Sequence, residues 1–178
     1  MTLPDWHEEP IAKEHDRDSF DCGDRDLNDY LKKFARQNHE RGGAKTFLAI
    51  NDAGGRVLGF YSLAPAVAEF DQVPAGVRKG LPRHDVRGYR LARLATDKTV
   101  AGHGLGGQLL LAAGKRALQV AAKVGGVALY IDAKSERTAA WYKIFGVEPL
   151  TGASEGRSIS MAISLKTIEA ALKAAGKS

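Results

Sequence analysis

The spacing of hydrophobic residues divides the chain into segments of helical period and short, continuously apolar runs. Helical spacing predicts four helices, at residues 25–39, 105–124, 136–145 and 165–175, and Asp24 is placed to cap the first of them. Apolar runs predict six strands, at residues 11–16, 46–50, 57–68, 89–96, 127–131 and 158–164. A chain of 178 residues suits one domain with its own core, so we expect a single domain over residues 1–178.

The loop between the strand that ends near Thr96 and the helix that begins at Leu105 is rich in glycine. Its glycines are Gly102, Gly104, Gly106 and Gly107. The first N–H groups of a helix have no partner within the helix and lie at the positive end of its dipole. Glycine lets the backbone approach a ligand closely and adopt positive φ. The loop therefore predicts a site for the phosphates of a pyrophosphate-bearing molecule.

Two known phosphate-binding patterns compete for this loop. The Walker pattern is excluded, because Gln108 follows the last glycine where that pattern needs Lys-Ser or Lys-Thr. Residues 102–107 satisfy the dinucleotide fingerprint, and Asp132 ends a strand where a ribose-binding acid would lie. Against this alternative, residues 97–101 separate the strand from the first glycine, and too little chain follows Asp132 for repeated βαβ units. The dinucleotide pattern stays open as the weaker alternative.

The composition is that of an ordinary soluble globular chain, with 44% hydrophobic and 26% charged residues. No apolar run is long enough to cross a membrane, and residues 1–10 lack the features of a secretory signal, so we expect a cytoplasmic protein. Cys22 is the only cysteine, which excludes an internal disulfide and a cysteine-based zinc site. The five histidines show no metal-ligand spacing, so we expect no metal.

Positive charge is concentrated in residues 77–98, which we call the basic segment. Two acidic residues, Asp85 and Asp97, stand there against seven basic ones: Arg78, Lys79, Arg83, Arg87, Arg90, Arg93 and Lys98. A positive strip that leads into a phosphate loop indicates a second, larger polyanion such as nucleic acid. The alternative is a solvated loop that keeps the protein soluble. Tyr89 is the only aromatic residue in the segment, so contacts to RNA would be mainly to phosphates and sensitive to salt.

Residues 101–106, Ala-Gly-His-Gly-Leu-Gly, resemble the phosphate loop of the Gcn5-related N-acetyltransferase (GNAT) family, Gln/Arg-x-x-Gly-x-Gly/Ala. Ala101 departs from that pattern, so the longer side chain of Gln or Arg is missing and binding depends on backbone amides. The resemblance extends over nearly the whole chain. It implies an α/β (α+β) fold, with a mixed twisted sheet that is splayed between its fourth and fifth strands and flanked by helices. It also implies acetyl-CoA as the cosubstrate.

The GNAT resemblance assigns the binding of the cofactor to two neighbouring segments. The backbone of the fourth strand, at Leu94, Ala95 and Thr96, would pair with the pantetheine arm as another strand would. The phosphate loop would hold the diphosphate through Gly102, His103, Gly104, Leu105, Gly106 and Gly107.

Residues 135–150 resemble the second GNAT signature, Asn-x-x-Ala-x-x-Phe-Tyr-x-x-x-Gly-Phe. Ser135 replaces the helix-capping Asn, and Trp141 stands at the aromatic position that would pack beneath the cofactor arm. The resemblance implies that Ser135 and Trp141 also belong to the cofactor-binding residues. Tyr142 falls on the position of the family's general acid, where a phenol can protonate the departing thiolate. The alternative reading makes Tyr142 a packed aromatic residue. No general base stands out, and an α-amine acceptor, partly unprotonated at neutral pH, would need none.

The N-terminal third is similar to toxin-type GNAT acetyltransferases of bacterial toxin–antitoxin pairs, on residues 20–23, 27–28, 35–38 and 46–47 together with Leu31. That resemblance implies acetylation of the α-amine of aminoacyl-tRNA, a block of translation, a homodimer and a ribbon-helix-helix antitoxin as partner. Arg87, Arg90 and Arg93 would then hold the acceptor end of the tRNA. The alternatives are a GNAT enzyme that acetylates a small amine or a protein lysine, and a catalytically silent acyl-CoA-binding module.

Overall fold

Seven strands are hydrogen-bonded in the order β1-β2-β3-β4-β5-β7-β6 in the computed structural model, which describes residues 1–152 and 158–176. Their bounds are Trp6–Pro10, Lys45–Asn51, Val57–Ala68, Val86–Thr96, Ala128–Ala133, Glu148–Pro149 and Ile159–Ser164 for β1 to β7. The pairing of β4 with β5 is parallel, whereas β1 with β2, β2 with β3, β5 with β7 and β6 with β7 are antiparallel. The sheet is therefore mixed, as the predicted fold class requires.

The predicted helical regions are found in the predicted order, and a short helix at Ala75–Arg78 is present that the sequence pattern does not predict. The bounds of the helices are Arg25–Asp29, Ala35–Arg41, Ala75–Arg78, Leu105–Val124, Glu136–Ile144 and Leu165–Ala174 for α1 to α6, with a π-helical turn at Tyr30–Phe34 and a 3₁₀ turn at Phe70–Gln72. The bounds of α4 are the predicted ones. No helix in the described ranges is long and apolar enough to span a membrane.

The chain forms two compact units. Unit 1 comprises Met1–Ala64 and Ala92–Ala113, and unit 2 comprises Pro65–Leu91 and Gly114–Ser178. Unit 1 has a core of Ile11, Phe20, Leu31, Ala35, Leu48, Ile50, Val57, Phe60 and Ala95. Unit 2 has a cluster of Val73, Val77, Val86, Ala128, Tyr130 and Ala162.

The pairing of β4 with β5 is short compared with the strands. It runs from Gly88 opposite Ala128 to Leu91 opposite Ile131, whereas β4 continues to Thr96. The last five residues of β4 belong to unit 1 and include the segment that the GNAT resemblance assigns to the pantetheine arm.

The predicted first strand is wrong in position. Residues 11–16 lie after β1 rather than in it, and the strand is the polar segment Trp6–Pro10, which pairs with β2 from Trp6 opposite Asn51 to Pro10 opposite Phe47. Because β1 has only one neighbour in the sheet, hydrogen bonding rather than an apolar sequence defines it.

The first helical segment is capped as predicted but is not a uniform helix. The Asp24 side chain accepts hydrogen bonds from the N–H groups of Asp26 and Leu27. The π-helical turn then separates α1 from α2, and Gly42, with a φ of 80°, ends the segment. Side-chain spacing alone does not reveal a π turn, because the turn changes the register by a single residue.

Candidate active site

The phosphate loop joins the end of β4 to the start of α4, within unit 1. Gly102 and Gly104 have φ values of 80° and 90°, so the expectation of positive φ is confirmed at these two glycines. The N–H of Gln108 donates to the carbonyl of Gly104 at 3.2 Å, so the N–H groups of residues 105–107 precede the first bond of the helix. α4 spans 20 residues and has no acid in its first turn. Its N-terminus is therefore suited to an anion.

Gly59 on β3 is a residue of this site that the sequence did not single out. A Cβ atom there would lie 2.9 Å from the Ala95 carbonyl oxygen and 2.9 Å from Cδ1 of Leu109. Both distances are closer than real Cβ atoms approach their neighbours, so glycine is what lets the end of β4 and the first turns of α4 approach β3. The sequence gives no signal for Gly59, because a glycine inside an apolar strand resembles any other small residue.

His103 folds back on the loop. Its ring Nδ1 lies 2.8 Å from the Ala101 carbonyl oxygen, which can only accept, so Nδ1 carries the hydrogen. The side chain is exposed. The imidazole of His103 is therefore hydrogen-bonded to Ala101, the position where the GNAT pattern has Gln or Arg.

Tyr142 lies on α5 in unit 2, and its side chain is 6% exposed. Ser135 caps this helix as predicted, accepting a hydrogen bond from the N–H of Thr138 at 3.2 Å. The Trp141 ring packs edge-on against Tyr142 and against Phe145, with centroid distances of 5.0 and 4.8 Å. Burial raises the pKa of Tyr142 to about 12, so the phenol stays protonated at neutral pH. It is thus in the form that a proton donor needs.

The three arginines proposed for the tRNA differ in their surroundings. Arg87 is exposed, and no residue in the described ranges forms an ion pair with it. Arg90 is paired with Asp132 at 3.5 Å within unit 2. Arg93, in unit 1, stacks over the ring of Tyr30 at 4.6 Å. Side chains alternate along a strand, so Arg87 and Arg90 lie on opposite faces of β4.

Phe70 precedes the basic segment in the chain, but in the structure its ring contacts arginine side chains of that segment. Phe70 is covered by the guanidinium groups of Arg78 and Arg83, at 5.3 and 5.5 Å from the ring centroid. A cavity of about 480 Å³ beside it is lined by Phe70, Arg83, His84, Asp85 and Arg87. The sequence could not place Phe70 here, because the residue precedes the basic segment in the chain.

Comparison with known proteins identifies the family that has this combination of phosphate loop, tyrosine and basic segment. No protein-family model matches the chain. The tRNA-acetylating toxin of Mycobacterium tuberculosis is 38% identical over 138 residues, which cover 78% of this chain and 81% of the toxin. The chain belongs to the tRNA-acetylating toxin family. A probable toxin TacT of Sinorhizobium fredii is 25% identical and matches 80% of this chain and 83% of its own length.

Solved structures of GNAT toxins agree with this family assignment. A KacT variant with tyrosine changed to phenylalanine has 27% identity and a TM-score of 0.84, covering 93% of this chain and 98% of its own. AtaT complexed with acetyl-methionyl-tRNAfMet has 25% identity and a TM-score of 0.83, covering 94% and 99%. AtaTR bound with AcCoA has 26% identity and a TM-score of 0.79, covering 94% and 98%. The predicted GNAT fold is confirmed, and the toxin-family chain is an acetyltransferase.

Three further observations concern side chains outside the phosphate loop and Tyr142. The described residues contain no cluster of three or more potential metal ligands. Asp71, in the 3₁₀ turn at Phe70–Gln72, is paired with Arg83 at 3.2 Å. Cys22 is half-buried, its thiol donates to Oδ1 of Asn28 at 3.2 Å, and burial raises its pKa. A thiol in that state is a weak nucleophile.

Proposed function

We propose that this chain transfers the acetyl group of acetyl-CoA to the α-amine of aminoacyl-tRNA and thereby blocks translation. The observation that carries the proposal is the 38% identity to the tRNA-acetylating toxin over about four-fifths of both chains. The tRNA ligand of AtaT and the AcCoA ligand of AtaTR, both at 25–26% identity, support the two substrates. Acylation of the α-amine removes the nucleophile that peptide-bond formation requires.

The cofactor would be held mainly by main-chain groups. The N–H groups of Leu105, Gly106 and Gly107, at the start of α4 and at the positive end of its dipole, would bind the diphosphate. Gly102 and Gly104 contribute the positive φ values that shape this turn. The backbone at residues 94–96 would bind the pantetheine arm, while Ser135 and Trp141 set the start and the packing of the helix that carries the catalytic tyrosine.

The reaction needs one proton donor at sulfur. The amine nitrogen attacks the thioester carbonyl, which the amides near residues 94–96 polarise; the C–N bond forms and the C–S bond breaks. Tyr142 gives its proton to the leaving sulfur, and the proton released from the attacking nitrogen returns to the phenolate through solvent. Burial raises the pKa of Tyr142 to about 12, which makes full transfer to a thiolate in water uphill. A leaving thiol held in an equally buried site would also have a raised pKa, which would reduce the difference in pKa between the phenol and the thiol.

The pH dependence should report the substrate amine and not the tyrosine. The pKa of Tyr142 is about 12, whereas an α-amine loses its proton at about pH 7.7–8.0. We expect kcat/KM for charged tRNA to rise with pH up to about pH 8 and then to stay level to about pH 9. Initial rates of acetyl transfer, corrected for ester hydrolysis, measure this profile. A decline between pH 8 and pH 9 would indicate an essential acid of much lower pKa.

We propose that Arg87 and Arg93 contact the acceptor end of the tRNA and that Arg90, on the opposite face of β4 from Arg87, adds to the positive field at longer range. We expect glutamine at all three positions to weaken tRNA binding and to reduce the slope of log K against log salt by about 0.7–0.9 for each phosphate that is no longer neutralised. Arg90→Gln alone should have the smallest effect, because Asp132 already offsets that charge. Lys123→Gln, which removes a charge in the last turn of α4, is the matched control. An unchanged salt slope would make the basic segment an ordinary solvated surface.

The family membership also supports the expected partners. The AtaT–AtaR complex bound to DNA, in which AtaR is the antitoxin, has 25% identity and a TM-score of 0.74 over 93% of this chain and 99% of its own. We assign this chain an antitoxin of the ribbon-helix-helix class and a homodimeric state. We propose that this chain acts in the cytoplasm, because charged tRNA is found there.

The test of the proposed function is a comparison of acceptors. Wild-type protein is mixed with acetyl-CoA and with charged tRNA, deacylated tRNA, a lysine peptide or a small amine, and free thiol is measured. Thiol release with charged tRNA only is the expected result. Release with the lysine peptide or the small amine instead would assign a different GNAT substrate. No release with any acceptor would leave a silent acyl-CoA-binding module.

A further inference from the structure

Asp97 is a fully buried carboxylate at the start of the phosphate loop, in unit 1, with 0% of its surface exposed. A charge in such a place has to be compensated by donors. Thr99 donates to one carboxylate oxygen through its N–H at 2.9 Å and its hydroxyl at 2.7 Å. The other oxygen accepts from the N–H of Asp21 at 3.0 Å and lies 3.4 Å from the Arg56 guanidinium. Burial favours a raised pKa for Asp97, but these donors hold its pKa below the ordinary value.

The backbone of Asp97 continues this arrangement into the loop. Its N–H donates to the Leu58 carbonyl on β3 at 2.8 Å, and its carbonyl accepts from the N–H of Val100 at 3.0 Å. The Val100 carbonyl in turn accepts from the N–H of His103 at 3.3 Å. Two successive turns therefore lead from Asp97 to the residue before Gly104, and the bonds from the carboxylate to Thr99 fix the first turn.

A second carboxylate holds the same end of the loop. The N–H of Lys98 donates to the Asp21 carbonyl at 2.8 Å, and Nζ of Lys98 lies 2.8 Å from Oδ2 of Asp21. Nδ2 of Asn28 donates to the other oxygen of Asp21 at 3.0 Å. The base of the phosphate loop is thus attached at two successive residues to the turn that precedes α1.

We infer that Asp97 is a positioning residue for the coenzyme, acting through Thr99 and the loop backbone to aim the N–H groups of residues 105–107 at the diphosphate. The inference rests on the proposed function, since it takes CoA as the ligand of the loop. The effect depends on the diphosphate. The binding of a coenzyme fragment that lacks the diphosphate should therefore not depend on the conformation of the loop.

The test removes one bond of this arrangement without burying a new group. Thr99 is exposed, so Thr99→Val should fold, while losing the hydroxyl that donates to Asp97. We expect its Kd for CoA, measured by calorimetry, to rise about fivefold, and that of Asp97→Asn about tenfold or more. Thr99→Ser keeps the hydroxyl and should bind CoA like the wild type. With S-acetylpantetheine, which lacks the diphosphate, kcat and KM of Thr99→Val should be unchanged.

Thr167→Val is the matched control, because Thr167 is exposed and its hydroxyl pairs with Ser164 in unit 2. CoA affinity should be the same in this control as in the wild type. Two results would overturn the inference: wild-type affinity in Thr99→Val, or an equal weakening with CoA and with S-acetylpantetheine. A wild-type chain that binds no CoA would overturn the proposed function itself, so the two failures are distinguishable.

Discussion

Replacing Tyr142 with phenylalanine is expected to lower kcat for acetyl transfer by about 10²–10⁴, the usual contribution of a positioned general acid. The ring stays, so its packing against Trp141 and the dissociation constant for acetyl-CoA should hardly change. Single-turnover rates with charged tRNA measure the first quantity, and calorimetry with CoA measures the second. A loss of kcat without a loss of cofactor affinity is the signature of an interaction made in the transition state.

Tyr130→Phe is the matched control for this experiment. Tyr130 is also a buried tyrosine of unit 2, burial also raises its pKa to about 12, and its hydroxyl donates to the Val86 carbonyl. Removing that hydroxyl should cost about 1–3 kcal/mol of stability, because a buried carbonyl loses its partner, and should leave kcat in place. If Tyr142→Phe turned over as fast as Tyr130→Phe, Tyr142 would be a packed aromatic residue and nothing more.

A carboxylate placed at the start of α4 is expected to abolish cofactor binding. Gly106 lies in the first turn of α4, in helical conformation, so Gly106→Asp places a negative charge beside the proposed diphosphate. The repulsion at close range is on the order of 3 kcal/mol, which predicts a loss of about 100-fold in CoA affinity. The same carboxylate interacts favourably with the positive end of the helix dipole, so it should stabilise the fold by about 0.3–1 kcal/mol. Calorimetry and thermal unfolding, run on one preparation, measure the two effects.

Gly106→Asn separates charge from size, because asparagine has the shape of aspartate without the charge. It should retain most of the CoA affinity that Gly106→Asp loses. Equal losses in the two variants would mean that the side chain simply blocks the loop, and undiminished affinity in Gly106→Asp would move the diphosphate away from this helix.

The local features of this fold follow from the sequence where one short segment determines them. The bounds of α4 and the caps at Asp24 and Ser135 depend on residues within a few positions of one another, and each is found where the pattern predicts it. The strand β1 has no such local signal, because its polar residues form a strand only by hydrogen bonding to β2, about forty residues away.

The candidate site shows the same division between local and distant determinants. The glycines of the phosphate loop can be recognised in the sequence, since a turn before a helix needs them within a few residues. In the sequence, Asp97 is only one of two acidic residues in the basic segment. The structure shows that its hydrogen-bond donors come from Asp21, Arg56 and Thr99. The pairing of Arg90 with Asp132 likewise depends on the register of β4 and β5, which no single segment encodes.

The chemical state of the aminoacyl group after reaction tests the proposed acetylation of charged tRNA most directly. Charged tRNA is incubated with wild-type protein and acetyl-CoA and digested with a nuclease, and the aminoacyl-adenosine from its 3′ end is analysed by mass spectrometry. We predict one added acetyl group on the α-nitrogen in the wild type and an unmodified aminoacyl-adenosine with Tyr142→Phe. An unmodified aminoacyl-adenosine from a wild-type protein that binds acetyl-CoA would contradict this prediction.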